Sequence, residues 1–73
     1  MITGQQVRAA RTLLGWSQDK LAAHARLTGS TVSAIECNKA GRESAAMTIR
    51  RTLQMAGVEF PDGEPVRFRK KAM

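Results

Sequence analysis

Most of what a chain needs to bind zinc, cross a membrane or stack on bases is missing from these 73 residues. A single cysteine, Cys37, has no partner for an internal disulfide, and with one histidine, His24, no zinc cluster of four Cys and His ligands can be built. That cysteine usage fits a reducing cytoplasm. No run of hydrophobic residues exceeds three, whereas a spanning helix needs ~20 and a signal peptide a core of ~7–15. A soluble, non-secreted, cytoplasmic chain is the expectation. Aromatics are confined to Trp16, Phe60 and Phe68, too few for the platforms on which sheet-based proteins stack single strands. Catalytic signatures are absent too: there is no Gly-x-x-x-x-Gly-Lys-Ser/Thr loop, no His-Glu-x-x-His pair, and the lone Cys37 and His24 make no nucleophile and base. No enzyme activity, no cofactor and no metal site is expected, and neither repeats nor low-complexity stretches interrupt the chain.

What is present is positive charge. Twelve Lys and Arg against six Asp and Glu give +6 and an isoelectric point near 10.8, which makes a polyanion the first partner to consider. With membranes and single strands disfavoured, duplex DNA moves ahead. The length allows one small domain, whose core removes only ~60% of the unfolded chain's surface from water.

Punctuation falls at Gly15, around Asn38 to Ser44, and at Gly57, with helical periodicity between these marks. A first helix starts at Thr3, in a capping box with Gln6, and runs to about Leu14 with Val7, Ala10 and Leu14 inward. Arg8 and Thr12 then face water, and Gly15 ends the helix. Ser17 caps a second helix, Gln18 to about Ala25, with Leu21 and Ala25 inward and Ala22 permitting close approach. After Arg26 and Leu27, Thr28 starts a third helix carrying Val32 and Ile35 to Ile35 or Cys37, and the short connection suits a steeply crossed helix-turn-helix pair. A fourth helix, Ser44 to Ala56, begins with Ser44 as its cap and buries Ala46, Ile49, Leu53 and Ala56. Beyond Gly57 the alternation in Val66-Arg67-Phe68-Arg69, with a turn over Pro61-Asp62-Gly63-Glu64-Pro65, suggests a hairpin or an extended tail. The fold class expected is all-α, a four-helix domain over 1–57 followed by a C-terminal hairpin and basic tail over 58–73.

Gly15-Trp16-Ser17-Gln18, Leu21-Ala22, Leu27-Thr28 and Val32-Ser33-Ala34-Ile35-Glu36 together resemble the helix-turn-helix domain of the lambda repressor and Cro (XRE) family of transcriptional regulators. The resemblance covers roughly residues 5 to 57. It implies that Gln18 binds a DNA phosphate at a helix N-terminus, and that the third helix enters the major groove with Gly29, Ser30, Ser33 and Ala34 at the base edges. Thr28 and Thr31 would flank them, and Asn38, Lys39 and Arg42 would contact the backbone. Arg11 and Glu36 match a partly buried ion pair of the family, and Trp16 caps the core.

Two departures from the family pattern stand out. Arg26 occupies the turn position usually held by glycine, at ~1 kcal/mol if the left-handed backbone is kept, with a reshaped turn as the alternative. The small side chains of the third helix offer no bidentate amide or guanidinium, so specificity is expected from hydroxyls, thymine methyls, DNA shape and dimer spacing. Cys37 and His24 read as an inert thiol and a solvated imidazole, and Arg50 and Arg51 as a wet helix face. Arg67, Arg69, Lys70 and Lys71 are either a solubilising end or a basic arm reaching DNA.

A single unit of this size reads few base pairs, so a homodimer is expected, through Met47, Leu53 and Met55 of the fourth helix and Phe60, Val66 and Phe68 of the hairpin. The function expected is an autoregulatory, operator-binding regulator. The alternative is an antitoxin or anti-activator that works through protein binding.

Overall fold

Three helix starts repeat one local device. In the computed structural model, which describes residues 2–61 and 65–69, helices α1 (Gly4–Leu14), α2 (Gln18–Ala25) and α3 (Gly29–Glu36) follow Thr3, Ser17 and Thr28. Each hydroxyl accepts from the backbone N–H three residues on, at Gln6, Lys20 and Thr31. Gln6 returns the bond at α1, its Oε1 accepting from Thr3 N at 2.8 Å and completing the capping box. A hydrophobic residue precedes each cap and another follows five positions later: Ile2 with Val7, Trp16 with Leu21, Leu27 with Val32. That is the spacing of a hydrophobic staple, and all six residues lie in or against the core.

The three helix ends repeat as well. Gly15, Arg26 and Asn38 have φ of 69°, 58° and 57°, and each donates to the carbonyl three residues back while its successor donates to the one five back. At the α2 end these bonds are Arg26 N to Ala23 O at 3.3 Å and Leu27 N to Ala22 O at 2.8 Å. The turn is therefore not reshaped around Arg26. Keeping the left-handed residue swings Leu27 against the core, and that placement offsets the strain on a residue with a Cβ.

α4 (Glu43–Met55) corrects the expectation of a serine cap. Its N-cap is Arg42, with no side-chain cap hydrogen bond. The chain turns at Gly41, φ 80°, so helix formation begins before Ser44, whose carbonyl instead accepts from the Thr48 hydroxyl at 3.1 Å. Val58–Glu59 (β1) then pairs antiparallel with Arg67–Phe68 (β2) in the register Val58 to Phe68 and Glu59 to Arg67, and Arg67 Nε meets Glu59 Oε1 at 2.9 Å across the pair. The expected turn at Asp62, Gly63 and Glu64 and the basic residues Lys70 and Lys71 lie outside the described residues.

α3 packs chiefly on α2, α4 packs across α1, α2 and α3, β1 lies on α4, and β2 lies against α1. Val7, Leu21, Val32, Ile49, Leu53 and Val58 are fully buried where these elements meet. One of the expected dimer residues must be reassigned. Leu53 is wholly enclosed in this chain's own core, and Phe60 and Val66 are half-buried against it, because the hairpin folds back over α4 and brings its inward residues with it. Met47, Met55 and Phe68 remain exposed.

Arg26→Gly should raise stability by about 1 kcal/mol in urea denaturation, since it removes a left-handed Cβ clash while leaving both turn hydrogen bonds in place.

Candidate nucleic-acid interface

The carboxylate of Glu36 fixes the geometry of this region. It sits in the last turn of α3, where the helix dipole disfavours an anion, and its side chain is only 1% exposed. Four hydrogen bonds compensate. Arg11 gives two, Nε to Oε2 at 2.6 Å and Nη2 to Oε1 at 3.1 Å, Gln18 Nε2 gives one at 3.2 Å, and Arg8 Nε a longer one at 3.5 Å. Arg11 Nη1 also donates to the Trp16 carbonyl at 2.9 Å, which ties the α1–α2 junction to the same cluster. Burial pushes the Glu36 carboxyl upward, but the Arg11 and Gln18 hydrogen bonds, the Arg11 charge and the Arg8 bond outweigh it, so the group lies below the usual glutamate range. The ion pair expected from the sequence is present. Arg8 is not purely a solvent-facing residue: its side chain is 61% exposed, yet it reaches the same carboxylate.

A second tie joins the start of α1 to the end of α3. Gly4 N donates to Asn38 Oδ1 at 2.9 Å, and a Cβ at Gly4 would stand 2.6 Å from the carbonyl carbon of Glu36. Only glycine permits that approach. Asn38, expected as a phosphate contact, thus spends its side-chain oxygen on the fold, because its left-handed backbone aims the side chain back at α1. Its side-chain N–H groups remain available.

The residues implied to meet DNA divide into three groups. Gly29 and Ala34 do not present side chains for base contact. Gly29 is half-buried and has no side chain, and a Cβ there would meet the Asp19 carboxylate of α2, the movable end of a flexible side chain. Ala34 is buried, its single methyl being too short to emerge past its neighbours. The hydroxyl residues form the accessible strip: Thr28 and Ser30 are exposed and Thr31 and Ser33 half-buried. Thr28 Oγ1 is the hub of this strip, 3.1 Å from Ser30 Oγ, 3.0 Å from Thr31 Oγ1 and 3.3 Å from Thr31 N. Finally, Lys39 and Arg42 are exposed at the end of α3 and the start of α4, and neither pairs with any described residue.

Gln18 is also redefined. Its side-chain amide donates to Glu36, and its backbone N–H, at the first position of α2, is a further group able to meet an anion. Lys20, on the same exposed turn of α2, was not singled out by sequence reasoning, and it too has no partner among the described residues. Nor does any spacing rule reveal the stack of Trp16 on His24, with ring centroids 4.3 Å apart and planes 5° from parallel. Trp16 keeps its place against the core. Cys37 is an exposed free thiol.

Among the described residues no three His, Cys, Asp or Glu side chains gather as a metal site, and no helix is long and apolar enough to cross a membrane. Comparison with family models, curated proteins and solved structures finds no match to this chain.

Glu36→Ala, which leaves Arg11 uncompensated, should cost ~3–5 kcal/mol at neutral pH. The folded-state value lies below the ordinary 4.5, so the carboxylate's contribution is complete above about that pH and is lost as pH falls through the lower folded value. Thermal melts of Glu36→Gln across pH 2.5 to 7 should therefore show a shallower acid-side decline than those of the parent chain.

Proposed function

We propose that this chain is a helix-turn-helix DNA-binding regulator of the lambda repressor and Cro kind, acting as a homodimer on an operator. The observation that carries the reading is an uncharged, hydroxyl-bearing strip on α3, Thr28, Ser30, Thr31 and Ser33, followed in the chain by Lys39 and Arg42, which pair with no described residue. The start of α2 reaches the same helix through the bond from Gln18 to Glu36. Duplex DNA suits such a surface: phosphates line both rims of a groove whose floor offers hydrogen-bonding edges and thymine methyls.

Each element then has a physical task. The backbone N–H at the α2 start, near the positive end of that helix, holds one phosphate. Lys39 and Arg42 hold others beside the uncapped first turn of α4, whose N–H groups lack a side-chain acceptor. α3 lies in the major groove and reads little directly, because a serine hydroxyl both donates and accepts and so discriminates weakly between base edges. DNA shape and the separation of two half-sites supply the remainder.

The second copy of the chain is held through the hairpin. β2 is exposed at both residues, Phe68 is 51% exposed, and an outer strand edge can add a partner's strand. The promoter position of the operator sets whether binding represses or activates, and the protein's own concentration controls occupancy.

Measured on one operator selected from a random duplex pool, Lys39→Ala and Arg42→Ala should each weaken binding to all sequence variants alike and flatten the log K against log salt slope by about 0.9. Ser30→Ala should leave that slope unchanged, and large losses confined to one or two guanines would contradict weak direct readout. Phe68→Asp should convert a sedimenting dimer into a monomer and weaken operator binding at unchanged helical content. A parent chain that is already monomeric at tens of micromolar, a concentration well above the Kd of a stable regulator dimer, would remove the dimer from the proposal.

A further inference from the structure

α4 turns one side inward, with Ala46, Ile49 and Leu53 in the core, and leaves an equally ordered line outside. Met47, Arg51 and Met55 follow one another at four-residue intervals along that outer line, so their side chains succeed each other turn by turn. Met47 is 69% and Met55 80% exposed, the two most exposed large hydrophobic side chains among the described residues. An open groove of about 640 Å³ runs along them, lined also by Thr48, Thr52 and Gln54. No acidic residue lines it, and Arg51 pairs with no described residue. Its neighbour Arg50 also lines the groove and lies 5.8 Å from the centroid of the Phe60 ring.

We infer that this face docks an amphipathic helix from another protein, bearing an acidic residue flanked four positions away on each side by hydrophobic residues. The flexible, polarisable methionines suit a hydrophobic contact, and a helix laid in a groove is anchored at such three- and four-residue spacings. Arg51 between them requires an anion at the centre of the contact.

Charge and register decide against a second copy as the occupant. In a two-fold antiparallel pairing of α4 with itself, setting Met47 against the partner's Met55 places Arg51 against its own counterpart at the axis, and like charges so placed are repelled. Moving the axis to Met47 sets Glu43 against Arg51 but leaves both copies of Met55 in water. Neither of these two registers covers both methionines and neutralises Arg51. The segment of this chain that carries Lys70 and Lys71 has the wrong sign. An acidic helix satisfies all three positions at once. The surface lies outside the residues assigned to DNA, so the inference stands independently of that function.

The test uses a fluorescein-labelled, alanine- and glutamine-based peptide containing Leu-x3-Glu-x3-Leu, titrated with the full chain and followed by anisotropy. Saturable binding is expected. It should weaken at least about tenfold with Arg51→Glu, and a peptide with lysine at the centre should reverse the preference, binding Arg51→Glu better than the parent chain. Circular dichroism establishes that the variant is folded, and unchanged operator affinity separates this surface from the DNA-binding one. Absence of binding would overturn the inference, as would equal binding of the glutamate and lysine peptides. So would a homodimer that dissociates with Met55→Asp while surviving Phe68→Asp, which would assign the face to a second copy.

Discussion

The Glu36 carboxylate is the point on which the arrangement of the first three helices depends. Taking a carboxylate and a guanidinium out of water costs several kcal/mol for each ion, so such a pair is tolerated only where hydrogen bonds satisfy what solvent gives up. Here the requirement is met by residues from three separate places: Arg8 and Arg11 on α1, Gln18 at the start of α2, and the acceptor itself at the end of α3. A helix that rotated or slid by one residue would lose its part of the cluster. The ion pair therefore contributes definition of geometry more than net stability, and that geometry holds the α2 start and the α3 surface in one fixed relation.

Close backbone approach is the second constraint and works with the first. Gly4 lets α1 touch the backbone at the α3 end, a contact that no larger residue permits. What remains outward on α3 is short and hydroxyl-bearing, and part of it is organised internally around Thr28. A protein that binds DNA through such a surface relies on the position of its helix and its rims of charge, with little contribution from reach. The rigid support beneath α3 and the small side chains above it are then parts of one solution.

Legibility in the sequence followed the range of the physics involved. Capping is a matter of three residues and a hydroxyl, so Thr3, Ser17 and Thr28 were visible, as were the α1 to α3 boundaries and the inward Val7, Leu21, Val32 and Ile49. The ion pair was visible only through resemblance, since nothing local joins residue 11 to residue 36. Ser44 misled because a serine near a helix start resembles a cap, whereas the positive φ of Gly41 decides where the helix begins. Leu53 illustrates another limit: hydrophobic surplus suggests an interface, but how much of α4 the hairpin covers depends on the tertiary course of the chain. Gly29 and Ala34 were assigned by position in a motif, and the motif contains no information about the Asp19 carboxylate or about a methyl that stays below the surface. The bond from the Gln18 side chain to Glu36 is equally invisible in the motif.

The polar cross-links end at α3. Among the described residues, every side-chain hydrogen bond that joins one helix to another involves α1, α2, α3 or the Asn38 that follows them, whereas the hydroxyls of α4 bond within α4 itself. α4 also starts without a side-chain cap and turns Ala46, Ile49 and Leu53 into the core, with Ala45 packed against it. Apolar contacts lack directionality, so the seat of α4 is set by how its inward residues fill the space that α1, α2 and α3 leave. The chain thus joins two kinds of attachment, three helices tied by directional bonds as well as burial and a fourth seated by burial.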